Sequence, residues 1–92
     1  MPKFACRTDG NHKAIVKALR QVGCRVLSLA RVGGGCPDLL VQLRRVTLLL
    51  EVKNPAGENL ISKAQADFHS QWEVLVVRSA EEAVREVVKR AA

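Results

Sequence analysis

The chain has 92 residues, 48% of them hydrophobic and only 3% aromatic. That length allows one domain spanning 1–92 with a modest, mainly Val, Leu and Ala core, and the composition excludes a disordered chain. Fifteen Lys and Arg against nine Asp and Glu give a net charge of +6, which points to a polyanion, nucleic acid first, against the plainer reading of solubilising charge.

After a basic lead-in, Asp9 can cap a helix from Gly10 to Val22, with Ala14, Ile15, Ala18, Leu19 and Val22 at helical spacing. Gly23 is a natural stop. Arg25 to Leu29 reads as a short strand. The loop Val32-Gly33-Gly34-Gly35-Cys36-Pro37 follows, since three glycines in a row suit no regular element. Leu39 to Leu43 forms the next strand, Arg44-Arg45 a tight turn, and Val46 to Lys53 an apolar strand expected to be central and buried on both faces. Asn54-Pro55-Ala56-Gly57 breaks it.

Ser62 and Gln65 form a capping box opening a helix that runs to Gln71 or Trp72. Glu73 to Val77 is a further buried strand. Ser79 and Glu82 repeat the capping box before a last helix striped with Ala80, Ala83, Val84, Val87, Val88 and Ala91. The order helix, three strands, helix, strand, helix predicts an α/β domain: a mixed sheet of about four strands flanked by helices.

Cys6, Cys24 and Cys36 lack zinc-ligand spacing and read as reduced thiols, an expectation that fits the cytoplasm. No apolar run resembles a signal peptide or is long enough to cross a bilayer, so no membrane partner is expected.

Chemistry concentrates in Cys36-Pro37-Asp38-Leu39 and Leu50-Glu51-Val52-Lys53. Side chains alternate along a strand, so Glu51 and Lys53 project from one face at the end of an apolar strand. A hairpin about Arg44-Arg45 would bring Asp38 near Glu51. Paired carboxylates repel, and a divalent cation relieves the repulsion. Oxygen ligands favour Mg²⁺ or Mn²⁺ over zinc, and the Val52 carbonyl adds a further donor. Lys53 is placed to orient or deprotonate a water, or to stabilise charge on a phosphate. The competing reading is a partly buried ion pair, with Asp38 a turn residue after Pro37.

Gly35-Cys36-Pro37-Asp38-Leu39 with Glu51-Val52-Lys53 resembles the PD-(D/E)xK nuclease motif, and nearly the whole chain resembles the stand-alone phage and bacterial form of the VRR-NUC family. The resemblance implies a restriction-endonuclease-like core in a bacterial cell or phage-infected host. It implies metal ligands at Asp38 and Glu51, a catalytic lysine at Lys53, and at Gln65 a helix glutamine that positions phosphate or water. It also offers Asp9 as an added metal ligand, a position that a plain N-cap explains as well.

His69 lies four residues after Gln65 on the same helical face, as a phosphate contact or a structural histidine. Phe68 and Trp72, also four apart, read as core packing. Lys13, Lys17, Arg44, Arg45 and Lys63 are candidate phosphate contacts, each equally readable as solvated charge. The resulting expectation is a Mg²⁺- or Mn²⁺-dependent endonuclease, working as a homodimer on branched DNA such as a four-way junction. The alternatives are a nucleic-acid-binding module without catalysis, or a flap or single-strand nuclease within a larger complex.

Overall fold

The computed structural model describes residues 10–54 and 61–92. The lead-in, the cap at Asp9, Cys6 and the break at Pro55-Ala56-Gly57 lie outside the described residues. The elements follow the predicted order: α1 (Gly10–Gln21), β1 (Arg25–Ser28), β2 (Leu39–Leu43), β3 (Val46–Val52), α2 (Lys63–Gln71), β4 (Val74–Val77) and α3 (Ala80–Ala91). Among the described residues no helix is long and apolar enough to cross a membrane.

The four strands make one mixed sheet in the order β1-β2-β3-β4. The first three are antiparallel neighbours, and β4 runs parallel to β3 after the α2 crossover. Parallel neighbours need such a crossover, because a hairpin can only reverse the chain. At the β2–β3 turn Arg44 takes a positive φ of 59°, and its guanidinium Nη1 donates to the Ala91 carbonyl at 3.3 Å, tying the hairpin to the end of α3.

Register sorts the strand residues onto two faces. Leu39 pairs with Leu50, Val41 with Leu48, and Leu50 with Leu75, so these share a face. Helices α1 and α3 pack together over that face, and Ile15, Leu19, Ala83 and Val87 complete a core with Leu39, Val41, Leu50 and Val77. The opposite face carries the rows Leu27–Leu40–Leu49–Val74 and Arg25–Gln42–Thr47. Its cover is partial.

The expectation that β3 is buried on both faces is therefore corrected. Strand β3 is interior to the sheet, but Thr47 is exposed and only Leu50 and Glu51 are fully buried. Helix α2 contributes no buried residue and covers little beyond the Glu51 end. Phe68 and Trp72 are corrected too. Their rings stack with centroids 5.4 Å apart, yet Trp72 is 56% exposed, so they pair outside the core.

The capping box of α2 is complete, with both reciprocal bonds present between Ser62 and Gln65. That of α3 is only half as expected. The Ser79 hydroxyl accepts from the Glu82 N–H, but the Glu82 carboxylate reaches one residue further back and accepts from the Arg78 N–H.

Because the two sheet faces differ so much in cover, truncations should separate them. Leu50→Ala is expected to cost about 3 kcal/mol of unfolding free energy, the usual range for a fully buried leucine. Leu27→Ala, at a residue 59% exposed in the single chain, should stay within about 0.5 kcal/mol of the parent when unfolding is followed on the monomer. Urea denaturation of the two variants checks the difference.

Candidate active site

The segment that delivers Asp38 is held by backbone conformations that side chains resist. Gly33, Gly34 and Gly35 all have positive φ, at 78°, 65° and 81°. Pro37 then turns the chain into β2 and is fully buried. The Asp38 carbonyl accepts from the Leu29 N–H at 2.8 Å, which fastens the entry to β2 against the end of β1.

One step beyond the Leu39–Leu50 pair, Asp38 stands across from Glu51. Its Oδ2 accepts from the Val52 N–H at 2.7 Å. In a strand a residue's N–H and C=O point to the same side, so the Val52 carbonyl also faces the Asp38 side. The neighbouring Lys53 N–H points the other way and donates to the Val77 carbonyl at 2.9 Å. The hairpin thus brings the two carboxylates and one backbone carbonyl to a single sheet edge.

Glu51 and Lys53 share a face, as alternation requires, and both are deeply placed, at 4% and 8% exposure. The Lys53 Nζ lies 3.5 Å from Glu51 Oε2, and the Gln65 Nε2 donates to that same oxygen at 3.0 Å. The other oxygen, Oε1, is buried with no hydrogen-bond partner. Burial pushes the Glu51 carboxyl above its ordinary range, and the Asp38 charge adds to that. The opposing pull of Lys53 and Gln65 does not overcome the two.

An acceptor oxygen left bare in a site shared with a second carboxylate is what a bound cation would satisfy. Among the described residues no three His, Cys, Asp or Glu side chains converge as a ligand set. The donors on offer are two carboxylates and a backbone carbonyl. That set fits Mg²⁺ or Mn²⁺, since a hard cation of this kind is held by one or two carboxylates and keeps several waters. It does not fit zinc, which takes nitrogen and sulfur donors in a closed site.

The Gln65 amide is engaged at both ends: Nε2 donates to Glu51, and Oε1 accepts from the Ser62 N–H at 3.1 Å. It holds a carboxylate with one of its two N–H groups, and the second is the group that the expected role toward phosphate or water would use. Asp9 lies outside the described residues.

The candidate phosphate contacts are scattered. Lys13 and Lys17 are exposed on α1 and line an open groove with His12, Val16, Arg20 and Gln21. Helix α1 starts at the site, because the Asn11 Nδ2 donates to the Lys53 carbonyl at 3.2 Å, and its basic ridge leads away from there. Arg44 and Arg45 occupy the opposite end of the β2–β3 hairpin, roughly 20 Å of strand from Glu51 at about 3.4 Å per residue. Lys63 pairs with Asp67 at 3.3 Å on an exposed surface of α2. His69 is half-buried, and its Nε2 is buried with no hydrogen-bond partner, so that atom faces away from solvent.

Two residues at the site escaped the sequence reading. Asn11 looks like an ordinary first-turn polar residue, and only the fold shows its amide on the Lys53 carbonyl. Gly35 opens the motif that runs into Pro37 and Asp38, yet nothing in the run of three glycines shows a packing role for it.

The raised Glu51 pKa makes a signed prediction for the metal-free chain. A carboxyl whose pKa in the folded state lies above its ordinary 4.5 binds its proton more tightly folded than unfolded. Its contribution to stability is fully present below about pH 4.5 and is lost as pH rises through the raised value. Unfolding measured in EDTA should show the parent losing stability relative to Glu51→Gln across that rise. A constant difference at all pH values would contradict the assignment.

Compared with family models, with curated proteins and with solved structures, the chain matches none.

Proposed function

We propose that the chain is a metal-dependent DNA endonuclease of the VRR-NUC kind, built on a restriction-endonuclease-like core. The observation that carries this reading is the site itself. Asp38 faces Glu51 across the hairpin, Glu51 keeps one buried oxygen without a partner, and the Lys53 ammonium stands beside it. A plain ion pair would use the lysine to satisfy the glutamate, whereas here Lys53 and Gln65 crowd one oxygen and leave the other bare.

Asp38 would hold Mg²⁺ or Mn²⁺ through Oδ1, since Oδ2 is engaged by the Val52 N–H. Glu51 would use Oε1, and the Val52 carbonyl would add a third donor. When bound, such an ion supplies Lewis acidity at the phosphoryl oxygen and a water of lowered pKa. Lys53 then orients that water or neutralises charge growing on the phosphate. Gln65 and Asn11 hold Glu51 and the Lys53 backbone in place.

Branched DNA is the proposed substrate and a homodimer the proposed working unit. A four-way junction needs two cuts in opposed strands, and each chain supplies one site. The incompletely covered sheet face supports the pairing. Two adjoining grooves that share Leu40 and Thr47 make up a trough along it, one reaching Leu27 and Arg25 at the β1 end and the other Trp72 and Glu73 at the β4 end. A two-fold axis across the trough exchanges its ends, so each Arg25 meets the other chain's Glu73. A net charge of +6 per chain suits phosphate contacts without base reading.

Asp38→Asn and Glu51→Gln should each abolish cleavage of a synthetic junction in Mg²⁺ or Mn²⁺ and leave binding largely intact. Lys53→Ala should cost about 10²-fold or more in rate, the scale of a lost electrostatic or acid–base group. Parent-like cleavage by Asp38→Asn or Glu51→Gln would remove the assignment, and binding without cleavage by the parent would leave a non-catalytic DNA-binding module.

Light scattering should give a dimer. Arg25→Glu or Glu73→Arg should each dissociate it, and the two charge reversals combined should restore it. A parent chain that is monomeric at micromolar concentration and cuts linear duplex as readily as a junction would end the dimer proposal and leave the chemistry standing.

A further inference from the structure

Helix α2 carries Gln65 onto Glu51, yet it contributes no buried residue of its own. Burial in the core therefore does not fix its place, and some other contact must. The glycine loop supplies one. A Cβ built on Gly35 would overlap the carbonyl group of Ala64 and lie 2.8 Å from the Gln65 backbone nitrogen. The loop and the first turn of α2 thus meet backbone against backbone, at a distance that only glycine permits.

The adjacent glycines do not share this constraint. Gly33 and Gly34 also have positive φ, but a Cβ on either would meet nothing within 4 Å. Turn geometry accounts for those two, and close approach is what sets Gly35 apart.

On these grounds, and resting on the metal-site reading above, we propose that Gly35 is a positioning residue. Its missing side chain lets α2 dock on the loop, and this docking aims the Gln65 amide at Glu51. The aim is narrow because the amide is held at both ends. The Ser62 N–H donates to Oε1 at 3.1 Å and Nε2 donates to Glu51 at 3.0 Å, so a shift of the first turn carries the amide with it. The same loop runs through buried Pro37 straight into Asp38.

The test compares Gly34→Ala with Gly35→Ala in the full chain. Both place a side chain on a left-handed backbone, so the conformational strain is similar, and only the second invades α2. The first readout is the ¹⁵N-resolved signal of the Gln65 side-chain NH₂ in metal-free protein. It should move in Gly35→Ala and stay in place in Gly34→Ala. The second is Mn²⁺ affinity by calorimetry. Gly35→Ala and Gln65→Ala should each weaken it about tenfold, the scale of losing a partner that orients a metal ligand. The double variant should be no weaker than Gln65→Ala alone, because both act through one amide.

An unmoved Gln65 signal in folded Gly35→Ala would overturn the proposal, as would additive losses in the double variant. If Gly35→Ala does not fold, nuclear Overhauser contacts between the Gly35 Hα protons and the Gln65 N–H in the parent chain decide the packing, and their absence overturns it. The amide signal and these contacts need no metal. A parent chain that binds no Mn²⁺ would therefore count against the metal reading separately.

Discussion

The site depends on the bond between the Asp38 side chain and the Val52 backbone. A carboxylate accepting an N–H across a hairpin holds the two strand ends in one register. With Asp38 fixed there, Glu51 on the facing strand must share space with a second negative charge. Burial adds to that cost, and the Glu51 carboxyl responds by holding its proton more tightly. The arrangement is unfavourable for the bare fold and suited to a cation, the kind of local conflict expected where function overrides stability.

The surrounding elements are disposed around that conflict. Two helices and the inner sheet face make the core that keeps the chain folded. The outer face is left to α2 and to solvent. Its upper end holds Glu51 and Lys53 under Gln65, and its lower end exposes Leu27 and Trp72. Stability and chemistry therefore sit on opposite sides of one sheet. Glu51 and Leu50 are chain neighbours, and alternation alone sends one to each side.

Much of the architecture was legible because its signals are local. Periodicity of 3.6 or 2, glycine stops and Ser-to-Gln capping give the elements and their order without any long-range contact. The Pro-Asp and Glu-x-Lys pattern pointed to a candidate site for a related reason: charges at the end of an apolar strand need a cause. Most of the misreadings were tertiary. An apolar strand such as β3 does not announce how much of it a helix will cover. Phe68 and Trp72 sit at core spacing but stack on each other outside the core, with Trp72 largely exposed. Glu82 had two backbone N–H groups within reach and took the farther one.

By itself the sequence determined the α/β class, the element order and the pairing of Glu51 with Lys53 on one face, because each follows from residue spacing along a single segment. Only the tertiary structure decided that Gln65 bonds Glu51 and that Asn11 holds the Lys53 carbonyl. It alone also separated Gly35 from the two glycines before it. Such facts are distances between segments far apart in the chain, set by how helices dock on the sheet, and no local pattern encodes a docking distance.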